Sequence, residues 1–175
     1  MTNTEFPDDR LRAPLIAGER EMLSRWLDFH RGTLQWKCAG LSGDQLVTRS
    51  AQPSTMTLLG LVRHMAEVER WWFRKIAGRQ AVEPRAWTDE HPDGDFDLVD
   101  PNRAEEDLAI LRAEIAAADE AARDLDLDDV FTHPNPNRPG PISLRWIYVH
   151  MIEEYARHNG HADLLRERID GRTGE

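Results

Sequence analysis

One cysteine, Cys38, occurs in 175 residues, so no intrachain disulfide can form. A lone cysteine in a helical stretch reads as a small core residue before it reads as a nucleophile. Lysine is almost as scarce: of 22 basic residues only Lys37 and Lys75 are lysine, a bias that fits a GC-rich genome better than any physical requirement. Long apolar runs are missing too, and no stretch approaches the roughly 18 residues that span a bilayer. The N-terminus, MTNTEFPDDRLRAPLIAGER, is acidic and interrupted by Pro7 and Pro14, without the basic-then-apolar order of a secretion signal. A cytoplasmic location is the expectation. There is no basic excess: the net charge of −10 argues against nucleic acid, whose phosphates need a basic face, and against anionic membranes. Small molecules and proteins remain as partners.

What is present is an ordinary globular balance, 40% hydrophobic and 31% charged. The length suits one domain over residues 1–175, with residues 1–14 as an irregular N-terminal arm. Four segments carry apolar residues at helical spacing, and nothing between them alternates with the period of two that a strand needs. The fold class expected is therefore all-α. The first helix is predicted over about residues 18–39, with Leu23, Trp26, Leu27, His30 and Leu34 on its inner stripe and a stop at Gly40. The second begins after Thr57, a suitable N-cap, and carries Leu58, Leu61, Met65, Val68 and Trp72 toward Ala77. Residues 78–102 hold turn signals such as HPDGDFD and DPN, a length that suits a long crossover. An Ala-rich third helix follows over about 103–125. HPNPNRPGP cannot be helical, and Ser143 then caps a fourth helix that ends before Gly171. Four helices of this length give a four-helix bundle.

The stretch EEYARHNGH, residues 153–161, concentrates the chemistry. Residues four apart on a helix share a face at about 6 Å, so two side chains can reach one ion. His150, Glu154 and His158 form such a ladder, but His150 and His158 are about 12 Å apart along the axis, too far for one ion. The candidate pairs are Glu154 with His158, Glu154 with His150, and His158 with His161. A pair alone does not hold zinc or nickel, which normally takes three protein ligands. His64, flanked on its own face by Leu61 and Val68, is the natural third, although a lone histidine on an apolar face is often a hydrogen-bonded core residue. An inward carboxylate favours the metal reading, since a buried acid without a cation is costly. The spacing excludes the paired Glu-x-x-His of di-iron bundles, and there is no HExxH and no Cys-rich zinc motif. Haem between His64 and His158 would leave Glu154 unexplained in an apolar pocket.

GLVRHMAEVERWWF on the second helix and EEYARHNGHADLLRERIDG on the fourth resemble the DinB/YfiT-like superfamily of metal-binding four-helix bundles, in particular its mini-circle protein branch. LDFHRGTLQWKCAGLS in the first helix fits the same branch, so the likeness covers roughly residues 15–171. The resemblance implies an up-down-down-up bundle with a long crossover between helices 2 and 3, and homodimers. It also implies one divalent metal held by a histidine of the second helix and two ligands four apart on the fourth. His64, Glu154 and His158 match those positions. The family more often has histidine where this chain has Glu154, but mycothiol-dependent maleylpyruvate isomerase is similar in having Glu-x-x-x-His there. His161 falls where the family has glutamine and is expected in the pocket wall or behind a ligand.

Two imidazoles and one carboxylate leave positions open on a divalent ion, zinc or nickel, as in catalytic sites. Those positions suit water or a thiol whose proton is displaced. The resemblance implies the second: a transferase or isomerase using a low-molecular-weight thiol, with mycothiol the first to consider. A metal-dependent hydrolase would use the same ligands. A non-enzymatic bundle whose metal stabilises or senses, and a metal-free interaction protein with Glu154 paired to Arg157 or Arg63, are the plainer readings. Arg31 could meet an anionic substrate or thiol at the pocket mouth, though an ion-paired arginine is the simpler expectation. His150 is either a proton carrier one turn from the metal or a core residue. Trp71 and Trp72, 100° apart on an α-helix, cannot both face the core. His91 and His133 fall in loop sequence and receive no role.

Overall fold

The computed structural model of the protein describes residues 10, 12–135, 137 and 140–173. Most of the N-terminal arm expected over residues 1–14 lies outside the described residues. Helix α1 (Glu19–Cys38) opens with Glu19 and Glu21 at the positive end of its dipole and closes with Lys37 at the negative end. Gly40, at φ 73, turns the chain out of it. A single turn, α2 (Gly43–Leu46), is closed by a capping box between Ser42 and Gln45. Thr57 starts α3 (Leu58–Glu69) by accepting the Gly60 N–H at 3.0 Å, and α3 continues unbroken into a π-helical segment, Arg70–Ala77. The crossover contains two short turns, α4 (Gly94–Asp97) and a 3-10 turn at Pro101–Arg103, before α5 (Ala104–Ala122). Ser143 accepts the Trp146 N–H at 3.2 Å to start α6 (Leu144–Asp170), which ends at Gly171 in the left-handed conformation.

The pairings across the bundle fix its direction. Arg63 meets Asp107, Arg74 meets Glu114, and a side chain on Gly78 would touch Ala121, so α3 and α5 run parallel. Glu19 with Arg145, His30 with Asn159 and Lys37 with Asp163 make α1 and α6 parallel. Phe73 against Tyr148, Glu69 against Tyr155 and His64 against His158 make α3 and α6 antiparallel. The helices are thus ordered up-down-down-up, with residues 78–103 as the long crossover. No described helix is long and apolar enough to cross a membrane.

Between α5 and α6 stand two strands that the sequence did not announce, β1 (Val130–Thr132) and β2 (Pro141–Ser143), paired antiparallel with Phe131 opposite Ile142. Three residues are too few to display a period of two, yet Phe131 and Ile142 both turn inward and are buried. The inner stripe of α1 also differs from expectation. It runs through Leu27, Arg31, Leu34 and Cys38, while Trp26 is 43% exposed. A charged residue in the core position hid the true phase of the helix. Cys38 is fully enclosed and burial pushes its thiol up to about 12, so it packs as an inert apolar residue.

Arg31 is the centre of a buried network rather than a group at a pocket mouth. Its Nε and Nη2 each donate to the Glu69 carboxylate at 2.7 Å, and Nη1 donates to Asp119 at 2.8 Å and Asp28 at 3.1 Å. The Tyr155 hydroxyl donates to Glu69 Oε1 at 2.9 Å. Burial alone would lower the guanidinium pKa, but the Glu69 carboxylate, aided by Asp119, carries it well above its ordinary value. The network ties α1, α3, α5 and α6 together, with Glu69 about one helical turn from His64 and Tyr155 next to Glu154 in the chain.

Candidate metal centre

Three of the singled-out residues converge where α3 crosses α6. One candidate ligand atom from each of His64, Glu154 and His158 lies within 4.8 Å of the others. The His64 and His158 rings are 4.9 Å apart, edge to face, and His158 Nε2 is 3.6 Å from Glu154 Oε2. Ligand atoms about 2.1 Å from a tetrahedral zinc stand about 3.4 Å apart, so side-chain adjustments of about 1 Å would close the set.

Each imidazole has its far nitrogen engaged. His64 Nδ1 is 2.7 Å from Asp95 Oδ2, which fixes the proton on Nδ1 and leaves the Nε2 lone pair for an ion. His158 Nδ1 is 3.3 Å from His161 Nδ1, so the same tautomer arises when His161 accepts. Burial first, then the neighbouring His64 and His161, push His158 down to about 4. Its imidazole is therefore neutral near pH 7, the form that ligates.

Asp95 is the functional neighbour that sequence reasoning missed. It lies on α4, 31 residues from His64, and its acid is one of several in HPDGDFD. Arg63 holds that turn in place, donating to the backbone carbonyls of Gly94 and Asp95 at 3.1 Å and facing Asp107 at 3.4 Å. Gly94 is needed there, because a Cβ would stand 2.6 Å from the Ala86 carbonyl. Arg63 is thus engaged elsewhere and does not pair with Glu154.

Arg157 does pair with Glu154, by a short contact to Oε1 that leaves Oε2 toward His158. Glu154 is therefore partnered whether or not an ion binds. A second group, His150, Glu153 and Glu154, also comes within 4.8 Å, with His150 Nε2 3.9 Å from Glu154 Oε1. Arg157 lies 3.5 Å from the exposed Glu153 as well, so those two acids already share a cation. The imidazole of His150 stacks on Trp146 at 4.8 Å and meets Trp72 edge-on, and burial lowers its pKa. His133, given no role from the sequence, also contacts Trp72 and Trp146. His91 is exposed.

His64 and its partner Asp95 also stand in the wall of a cleft of about 320 Å³. Trp71, Trp72, Trp87 and Phe96 supply the aromatic lining. Both tryptophans of the second helix reach it because the wider π-helical turn brings successive side chains closer in angle than an α-helix does. Phe96 stacks on His64 at 4.7 Å.

The donor set fits a divalent ion: neutral nitrogen and carboxylate oxygen, with the histidine tautomers set from behind. Comparison with known families gives an independent result. Residues 22–171 match the mycothiol-S-transferase family, and the chain belongs to that family, itself DinB/YfiT-like. No curated protein matches the chain.

Proposed function

We propose that this member of the mycothiol-S-transferase family is a metal-dependent transferase that joins a low-molecular-weight thiol, mycothiol first among the candidates, to a small electrophile. The observation that carries the reading is the convergence of His64, Glu154 and His158 beside an open cleft. A divalent ion, zinc or nickel, would supply a positive centre that lowers the pKa of a thiol.

The residues of the chain do the rest. Asp95 and His161 hold the two imidazoles in the Nδ1–H tautomer, and Glu154 supplies the single negative ligand. In the transfer, the S–H bond breaks and the sulfur forms a bond to the electrophilic carbon. The leaving group departs with its electron pair. The thiol proton is assigned to His150, whose Nε2 lies 3.9 Å from Glu154 Oε1 and whose pKa burial lowers, and passes from it to solvent.

The test is conjugation of a chromophoric electrophile by the reconstituted protein, with mycothiol, with cysteine and with no thiol. Turnover that needs both metal and thiol is expected. Consumption of the electrophile at the same rate without thiol would replace this reading with hydrolysis.

Asp95→Ala tests the support behind His64. Losing the partner of a ligating histidine typically weakens metal binding by about 10–100-fold. Titration with a chelating competitor should show that loss for Asp95→Ala. An unchanged affinity would mean that Asp95 does not act through His64.

A further inference from the structure

We infer that the tryptophan-walled cleft beside His64 is a binding site for an ammonium group, protonated or quaternary, so that the acceptor molecule carries a positive charge. The inference deepens the transferase reading and rests on it for the word acceptor, but the site itself stands on the geometry of the cleft.

Three observations carry it. Glu67 lines the cleft, is 9% exposed, and binds the backbone N–H groups of Arg85 and Ala86 through Oε1 alone, at 2.9 and 3.0 Å. Among the described residues its Oε2 has no hydrogen-bond partner. A half-satisfied carboxylate in an aromatic wall is costly, and burial raises the Glu67 pKa even though the backbone N–H groups and the nearby Arg70 guanidinium oppose the rise. Asp93 stands in the same wall, and its acid adds to the negative potential.

The second observation is the aromatic lining itself. Indole faces attract cations, most strongly where water is excluded. Trp71 already demonstrates this, since the ammonium of Lys75, which lines a separate groove by the hairpin, sits 4.5 Å from its ring centroid. Trp72 is engaged edge-on by Trp146 and His150. Trp87, on the crossover, makes no ring contact among the described residues and is the face left for a ligand.

The third is charge. Glu67, Asp93 and Asp95 all line the cleft, and no arginine or lysine stands among its described lining residues. An anionic or neutral occupant would leave that charge uncompensated. A positively charged, partly apolar group satisfies carboxylate and rings together.

The experiment compares choline with its neutral isostere 3,3-dimethylbutan-1-ol by calorimetric titration of the full-length protein, with and without bound zinc. Choline should bind about tenfold or more tightly than the alcohol. Glu67→Gln keeps an acceptor for the Arg85 and Ala86 N–H groups, so it should fold normally and lose most of that preference. Trp87→Leu should weaken choline several-fold, and circular dichroism confirms that both variants are folded. Equal binding of the two probes, no binding of choline, or an unchanged preference in Glu67→Gln would overturn the proposal. Preference for choline in metal-free protein that conjugates no thiol would uphold the ammonium site while removing the transferase reading.

Discussion

Arg31→Leu is expected to destabilise the protein by about 3–5 kcal/mol, the cost of leaving a buried carboxylate without its cation. Glu69 is fully buried, and both of its oxygens accept from Arg31 at 2.7 Å. Leucine replaces much of the apolar stem but none of the donors, leaving the Tyr155 hydroxyl as the only other partner that Glu69 shows among the described residues. For a chain of this length the loss corresponds to a fall in Tm of roughly 10 °C, measurable by calorimetry. The double variant Arg31→Leu with Glu69→Met should recover most of the loss, because the penalty lies in the unpaired charge and not in the absence of the bridge. If Arg31→Leu melts within about 1 °C of the parent, the network does not contribute as described.

His158→Ala is expected to lower metal affinity by more than about 100-fold, beyond what loss of a supporting partner alone produces. The remaining pair, His64 and Glu154, is too few protein ligands for a divalent ion. Thiol conjugation should fall to background with it. His158→Cys offers a check that is not purely destructive: a thiolate is a good zinc ligand, so partial recovery of metal binding would identify the position as a ligand position. Retention of full metal affinity in His158→Ala would remove His158 from the site.

The parts of this account that were legible in the sequence are those with local causes. Thr57 and Ser143 announce helix starts because a cap binds an N–H only three residues on, and Gly171 announces a stop because only the left-handed residue matters. Glu154 and His158 could be paired because helical spacing alone brings them together, and His64 because it interrupts an apolar face. Their convergence required only that α3 and α6 pack antiparallel.

The parts that were not legible depend on contacts distant in sequence or on departures from the α period. Asp95 looked like one acid among many until Arg63 and Gly94 placed its turn against His64. Arg31 broke the apolar pattern of α1, so the stripe was phased through Trp26 instead of through the buried guanidinium. The π-helical segment leaves no mark in RWWFRKIA, and its effect, two adjacent tryptophans in one cleft, contradicts the 100° rule that served elsewhere. The hairpin is shorter than any period that could reveal it.

Elemental analysis of the purified, untagged protein is the most direct test of the central claim, that His64, Glu154 and His158 together hold one divalent ion. The account predicts about one zinc or nickel per chain, retained through gel filtration and removed by a strong chelator. No metal, even after reconstitution with zinc and with nickel, would contradict it and leave Glu154 as the partner of Arg157 alone.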